Sequence, residues 1–122
     1  MSSENRLARI NEMLKRELGS LCEREGIAVA GALTTVTGVR VSPDLRHADV
    51  SISVMGDDAA RQEAMRLFAS HRKRLQKEIA RTVTLRYTPV LRFHEDRTAA
   101  KADRLMHILD ELDIAADDDG AE

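Results

Sequence analysis

Leu7, Ile10, Met13, Leu14, Leu18, Leu21 and Cys22 recur at three- and four-residue steps. That spacing lines them on one side of a helix over residues 4–24, with Gly26 as its stop. Small residues fill 26–33 and read as a loop. From Thr35 to Val41 the chain is β-branched, which predicts a strand, and Gly38 within it marks a bulge or a close backbone approach. His47 to Val54 then alternates strictly: Ala48, Val50, Ile52 and Val54 against His47, Asp49, Ser51 and Ser53. Such alternation marks a sheet with one buried face. Ser42-Pro43-Asp44-Leu45-Arg46 between the two runs is turn chemistry, so they form an antiparallel hairpin, with Asp44 bonding its own turn.

Gly56-Asp57-Asp58 ends the second strand and offers an acidic N-cap to a long helix over roughly 58–82. On an ideal wheel Ala64, Phe68, His71, Leu75 and Ile79 share one side, while Arg66, Lys73 and Lys77 lie opposite, flanked by Arg74 and Arg81. A continuous helix makes those cations a stripe, and a kink near Ser70–Lys73 splits it. Thr84 to Phe93 reads as a third strand, with Leu85, Tyr87, Leu91 and Phe93 pointing one way. Pro89 cannot donate a ladder hydrogen bond, which suggests an edge or a bulge. A last helix is expected from about Thr98 to Asp113, with Ala102, Leu105, Met106, Leu109 and Leu112 on its apolar face. Residues 114–122 are small and acidic and are expected to be a disordered tail outside a single 1–113 domain. The order is helix, strand, strand, helix, strand, helix, a small α+β domain. The crossover from strand two to strand three is long enough for parallel pairing.

Charge is segregated along this frame. Residues 60–92 hold nine Lys/Arg against Glu63 and Glu78, a balance of +7; residues 93–122 stand at −7 and the first 59 at −2. The whole-chain charge of −2 hides that basic middle, which points to a polyanionic partner. Phe68, Tyr87 and Phe93 are the only aromatics, which disfavours a base-stacking surface. Cys22 stands alone, so no internal disulfide forms, consistent with a reducing cytoplasm. No apolar run reaches the roughly 20 residues a membrane span needs, and the N-terminus lacks an apolar signal core. The expectation is a cytoplasmic protein with no membrane association.

Catalytic signatures are missing: there is no Gly-rich phosphate loop, no Cys-x-x-Cys pair and no His-Glu-x-x-His. His94-Glu95-Asp96 is the one local cluster resembling a metal or acid/base set, and it reads as a solvated turn. The chain is therefore not expected to be an enzyme or to need a metal or cofactor.

Three segments resemble ribosome-binding factor A, a bacterial ribosome-maturation family. They are Asn5-Arg6-Leu7-Ala8-Arg9-Ile10, the hairpin from Val36 to Asp57 with Val-Ser-Pro-Asp-Leu-Arg at its turn, and Leu85-Arg86-Tyr87-Thr88-Pro89-Val90-Leu91-Arg92-Phe93. The resemblance runs over about residues 5–113. It implies a fold like the type II KH domain, with helices on one face of a three-stranded sheet. It also implies binding to the small (30S) ribosomal subunit and assistance in late 16S rRNA processing, including at low temperature. Other assembly factors, such as a maturation GTPase, are implied neighbours of a monomer. The family's Ala-x-Gly, which kinks the long helix, is replaced here by His71-Arg72-Lys73, so on these residues a kinked and a continuous helix both remain open.

The RNA-facing reading assigns Arg66, Lys73, Arg74, Lys77 and Arg81 to rRNA phosphates, with Arg72, Arg86 and Arg92 as further candidates. The rival reading is a protein–protein adapter whose basic helix docks an acidic partner. The two differ in salt response, because phosphate binding weakens linearly in log salt.

Overall fold

The computed structural model describes the backbone of residues 3–120 and, within it, the side chains of residues 5–98, 101, 102 and 104–112. The elements are α1 (Ser3–Arg24), β1 (Leu33–Val41), β2 (His47–Met55), α2 (Asp58–Ser70), α3 (Arg72–Thr82), β3 (Val90–Glu95) and α4 (Thr98–Gly120). The strands form one sheet in the order β1-β2-β3. β1 pairs antiparallel with β2, and β2 pairs parallel with β3, as the long crossover allows.

The alternation in β2 sorts its side chains as expected. Ala48, Val50, Ile52 and Val54 are buried, with Leu91 of β3 and Val41 of β1 beside them. Onto that face α1 brings Ile10, Leu14, Leu18 and Leu21, α2 brings Ala64 and Phe68, and α3 brings Leu75 and Ile79. Phe68 meets Phe93 with ring centroids 5.6 Å apart at a 48° tilt. The opposite face of the sheet is left to solvent.

Four turn features follow from side-chain chemistry. Ser42 Oγ donates to Asp44 Oδ1 (2.6 Å), and Asp44 Oδ1 accepts the Arg46 amide (3.1 Å), so the aspartate closes its own turn. That turn places Leu45 at φ 62, a left-handed conformation, and aims the Arg46 carbonyl at the Val90 amide (2.8 Å) to start β3. At Gly38 the register slips, which confirms a bulge. Gly56 is required for a different reason: a Cβ there would sit 2.8 Å from the Gly31 carbonyl.

One question left open by the residues is settled, and one expectation needs correction. The long helix is broken at His71, whose φ of −91° and ψ of 2° interrupt the ladder between α2 and α3. No positive φ is involved, so the glycine of the family pattern is not needed to turn the chain here. Strand three starts at Val90 instead of Thr84, because Pro89 has no amide to pair and residues 83–89 run as a loop. α4 forms where the last helix is expected, but Leu105, Met106, Leu109 and Leu112 of its apolar face are all exposed and none joins the core. The helical backbone of α4 also continues through residues 114–120, the segment expected as an acidic tail.

β3 is an edge strand, and α3 covers part of that edge with one side chain. Gln76 Nε2 donates to the Pro89 carbonyl (2.5 Å), while its Oε1 accepts the Leu91 amide (2.9 Å). The amide thus acts as a single residue of an added strand. Gln76→Ala strands both backbone groups, and a loss of about 1–3 kcal/mol is expected in urea unfolding. At the start of α2, the Asp57 carboxylate accepts the Ala60 amide at 2.8 Å. Asp57→Ala should cost about 1 kcal/mol in the same measurement, leaving the fold intact.

Candidate nucleic-acid interface

The break at His71 sets the geometry of the basic segment. Leu67, near the end of α2, offers one carbonyl to three donors: the His71 amide at 3.0 Å, the Ser70 hydroxyl at 2.8 Å and His71 Nδ1 at 2.9 Å. A carbonyl can only accept, so Nδ1 carries the proton. The ring is half-buried at the elbow, consistent with its place on the apolar side of the predicted wheel.

α3 then begins with Arg72, Lys73 and Arg74, with no acid in its first turn and no side chain capping its N-terminus. Cations at the positive end of a helix dipole are each unfavourable by about 0.3–1 kcal/mol. An anion at this elbow would remove that penalty, and the backbone amides of the first turn add donors for it.

The expected cations do not all contribute alike. Arg74 Nε contacts Glu25 Oε2, in the turn just after α1, at 2.5 Å. That carboxylate raises the arginine's pKa and neutralises its field. Arg66 is gripped by Glu63 at 2.6 Å, again with a raised pKa caused first by the hydrogen bond. Arg81 lies 3.3 Å from Glu78. Arg72, Lys73 and Lys77 make no ion pair among the described residues. Lys73 and Lys77 are exposed; Arg72 is half-buried.

The helix break also separates Arg66, on α2, from the α3 cations. Arg86, in the loop before β3, holds its guanidinium 5.5 Å over the Tyr87 ring and stays exposed. Arg92 lies elsewhere: it is the register partner of Asp49 on the helix-free face of the sheet, away from α3. The structure therefore gathers Arg72, Lys73, Arg74 and Lys77 into one patch, with Arg81 one turn further along α3 and Arg92 outside it. The sequence showed the cations; it did not show Glu25 as a partner of Arg74, because the two are 49 residues apart.

The acidic cluster after β3 disperses. His94 Nε2 contacts Asp49 Oδ1 at 2.9 Å on the open sheet face. Glu95 faces the helices and holds Arg61 at 2.8 Å. Asp96 accepts from the Thr37 hydroxyl and the Thr98 amide, both at 2.9 Å, and these bonds keep its pKa low. Three adjacent side chains thus take three directions. Cys22, half-buried on α1, has its thiol pushed up to about 11 by burial, which leaves little thiolate at neutral pH.

The family model for ribosome-binding factor A matches residues 6–109. The ribosome-binding factor A of Opitutus terrae is 35% identical over 109 residues, covering 89% of this chain and 88% of that protein. That of Anaeromyxobacter dehalogenans is 37% identical over 113 residues, covering 91% and 81%. The crystal structure of ribosome-binding factor A from Thermus thermophilus superposes with a TM-score of 0.63 at 28% identity, covering 75% of this chain and 98% of that one. A homology model of the Thermus thermophilus factor, fitted into a cryo-EM map of its complex with the 30S subunit, superposes with a TM-score of 0.60 at 29% identity, over 70% and 90%. Fold, hairpin and sequence agree along most of the length: the chain belongs to the ribosome-binding factor A family.

Proposed function

We propose that this protein binds the 30S ribosomal subunit and assists late maturation of 16S rRNA, including at low temperature, as a cytoplasmic, non-catalytic factor. The observation that carries the reading is the α2–α3 elbow, where unpaired Arg72, Lys73 and Lys77 surround an uncapped helix N-terminus. Its chemistry suits phosphate oxygens more than bases, since Arg72, Lys73 and Lys77 have no aromatic side chain among them and Tyr87 beside Arg86 is a single ring. Family membership and the 30S complex of the Thermus thermophilus relative support the same reading. Arg74, Arg66 and Arg81 serve as secondary contacts that must first loosen their carboxylate partners, and Arg86 extends the patch toward the loop before β3. One copy per subunit is the acting form, alongside other assembly factors such as a maturation GTPase.

Co-sedimentation with 30S subunits across a salt series tests this. Binding should fall linearly in log salt, with a slope of about −0.7 to −0.9 for each phosphate neutralised. An adapter that docks a protein through apolar contacts would respond weakly. Lys73→Glu with Lys77→Glu touches two exposed side chains, so circular dichroism and the urea midpoint should not move while 30S binding is lost. Unchanged co-sedimentation of that double variant would remove the elbow from the interface. Arg92→Glu, on the far face of the sheet, should retain most of the binding.

A further inference from the structure

Among the described residues, the large apolar side chains of α4 lie uncovered. Leu105 is 56% exposed, Ile108 46%, Leu109 46% and Leu112 60%. Isolated helices of this kind are marginal in water unless something buries their apolar stripe. The spacing identifies what fits. Leu105 and Leu112 are seven residues apart with Ile108 between them and Leu109 alongside, which is the a/d spacing of a two-helix seam.

The charges then specify the orientation. α4 has no acid in its first turn and no base in its last. Lys101 and Arg104 flank Asp103 toward its start and leave it net positive, whereas Asp110 and Glu111 follow, with more acids beyond them in the sequence. This polarity opposes the helix's own dipole and repels a parallel copy. It complements an antiparallel copy. Arg104 and Glu111 also sit seven residues apart on one flank of the stripe, the flank that meets its own counterpart in an antiparallel pair. A two-fold axis near His107 and Ile108 would bring Arg104 of each copy onto Glu111 of the other, with Leu105 and Ile108 interleaved across the seam.

We propose that α4 is a self-association element, through which two copies of the free protein pair by antiparallel packing of their α4 helices. The basic elbow on α3 lies elsewhere, so pairing does not use the proposed rRNA contacts, and the single copy on the subunit is the dissociated form. Each flank pair is worth little alone, but by symmetry it occurs twice.

Sedimentation equilibrium of the full chain, from low micromolar to near-millimolar, reads the result directly. The weight-average mass should rise with concentration from 13.6 kDa toward twice that value. Leu105→Glu with Leu112→Glu alters only exposed positions and should hold the mass at the monomer value throughout. Arg104→Glu alone and Glu111→Arg alone should each weaken pairing by roughly tenfold. The double swap Arg104→Glu/Glu111→Arg should restore it, and because these residues are two turns apart within one helix, the rescue cannot come from an internal pair. A monomer at every concentration overturns the proposal. So does a dimer that survives the two leucine substitutions, and a double swap that fails to rescue overturns the antiparallel arrangement. Loss of 30S binding in the elbow variant is read separately and bears only on the proposed function.

Discussion

The triple use of the Leu67 carbonyl is the constraint on which the arrangement of this molecule turns. The chain must travel from the end of β2 to the start of β3 along one face of the sheet, with Phe68 and Leu75 both seated in the core. The break at His71 redirects it, and a broken helix exposes carbonyls that need partners. At Leu67 the carbonyl keeps its ordinary helical partner, the His71 amide, and the Ser70 hydroxyl and the Nδ1–H of His71 add two further donors to it. The same break creates a new helix N-terminus with three cations in its first turn. The folding solution and the candidate interface are therefore one piece of backbone.

Once the chain is bent, long-range polar contacts fix the two halves in place. Arg61 of α2 reaches Glu95 at the end of β3, Gln76 of α3 spans Pro89 and Leu91 at its beginning, and Arg74 ties α3 to Glu25 in the turn after α1. All three join a helix to a neighbour on its flank, while the apolar residues carry the attraction toward the sheet. Gln76 also limits the exposed edge of β3, where an unpaired amide and carbonyl would otherwise invite another strand.

Much of this was legible in the residues. The alternation of Ala48, Val50, Ile52 and Val54 defined the buried face of β2, and Asp57 announced the start of α2, because both signals are local. The hairpin was equally clear, since Asp44 needs only its own turn. The elbow was not decided: helical periodicity runs through His71 without interruption, and the capping by Ser70 and His71 depends on hydrogen bonds that leave no mark on hydrophobic spacing. The start of β3 was misplaced because Leu85 and Tyr87 continue the alternation past Pro89, and Tyr87 proves to be exposed. A wheel also treats all cations as equal, and partners such as Glu25 for Arg74 appear only when the turn after α1 is brought to α3.

That last point narrows what the +7 segment means. Arg61, Arg66, Arg74 and Arg81 each face a carboxylate within 3.3 Å, so each presents a dipole more than a net charge to a distant polyanion. The long-range field comes instead from the unpaired residues, and on the helical face these are Arg72, Lys73 and Lys77. Lysines act as hydrated point charges that need no fixed geometry, whereas paired arginines become available for bidentate phosphate contacts only after exchanging a carboxylate for a phosphate. Such an exchange costs little at the surface, where an ion pair contributes about 0–1 kcal/mol. On the proposed rRNA-binding reading, the free cations Arg72, Lys73 and Lys77 would draw a phosphate backbone to the elbow, and the tethered Arg74 beside them would grip it once it had arrived.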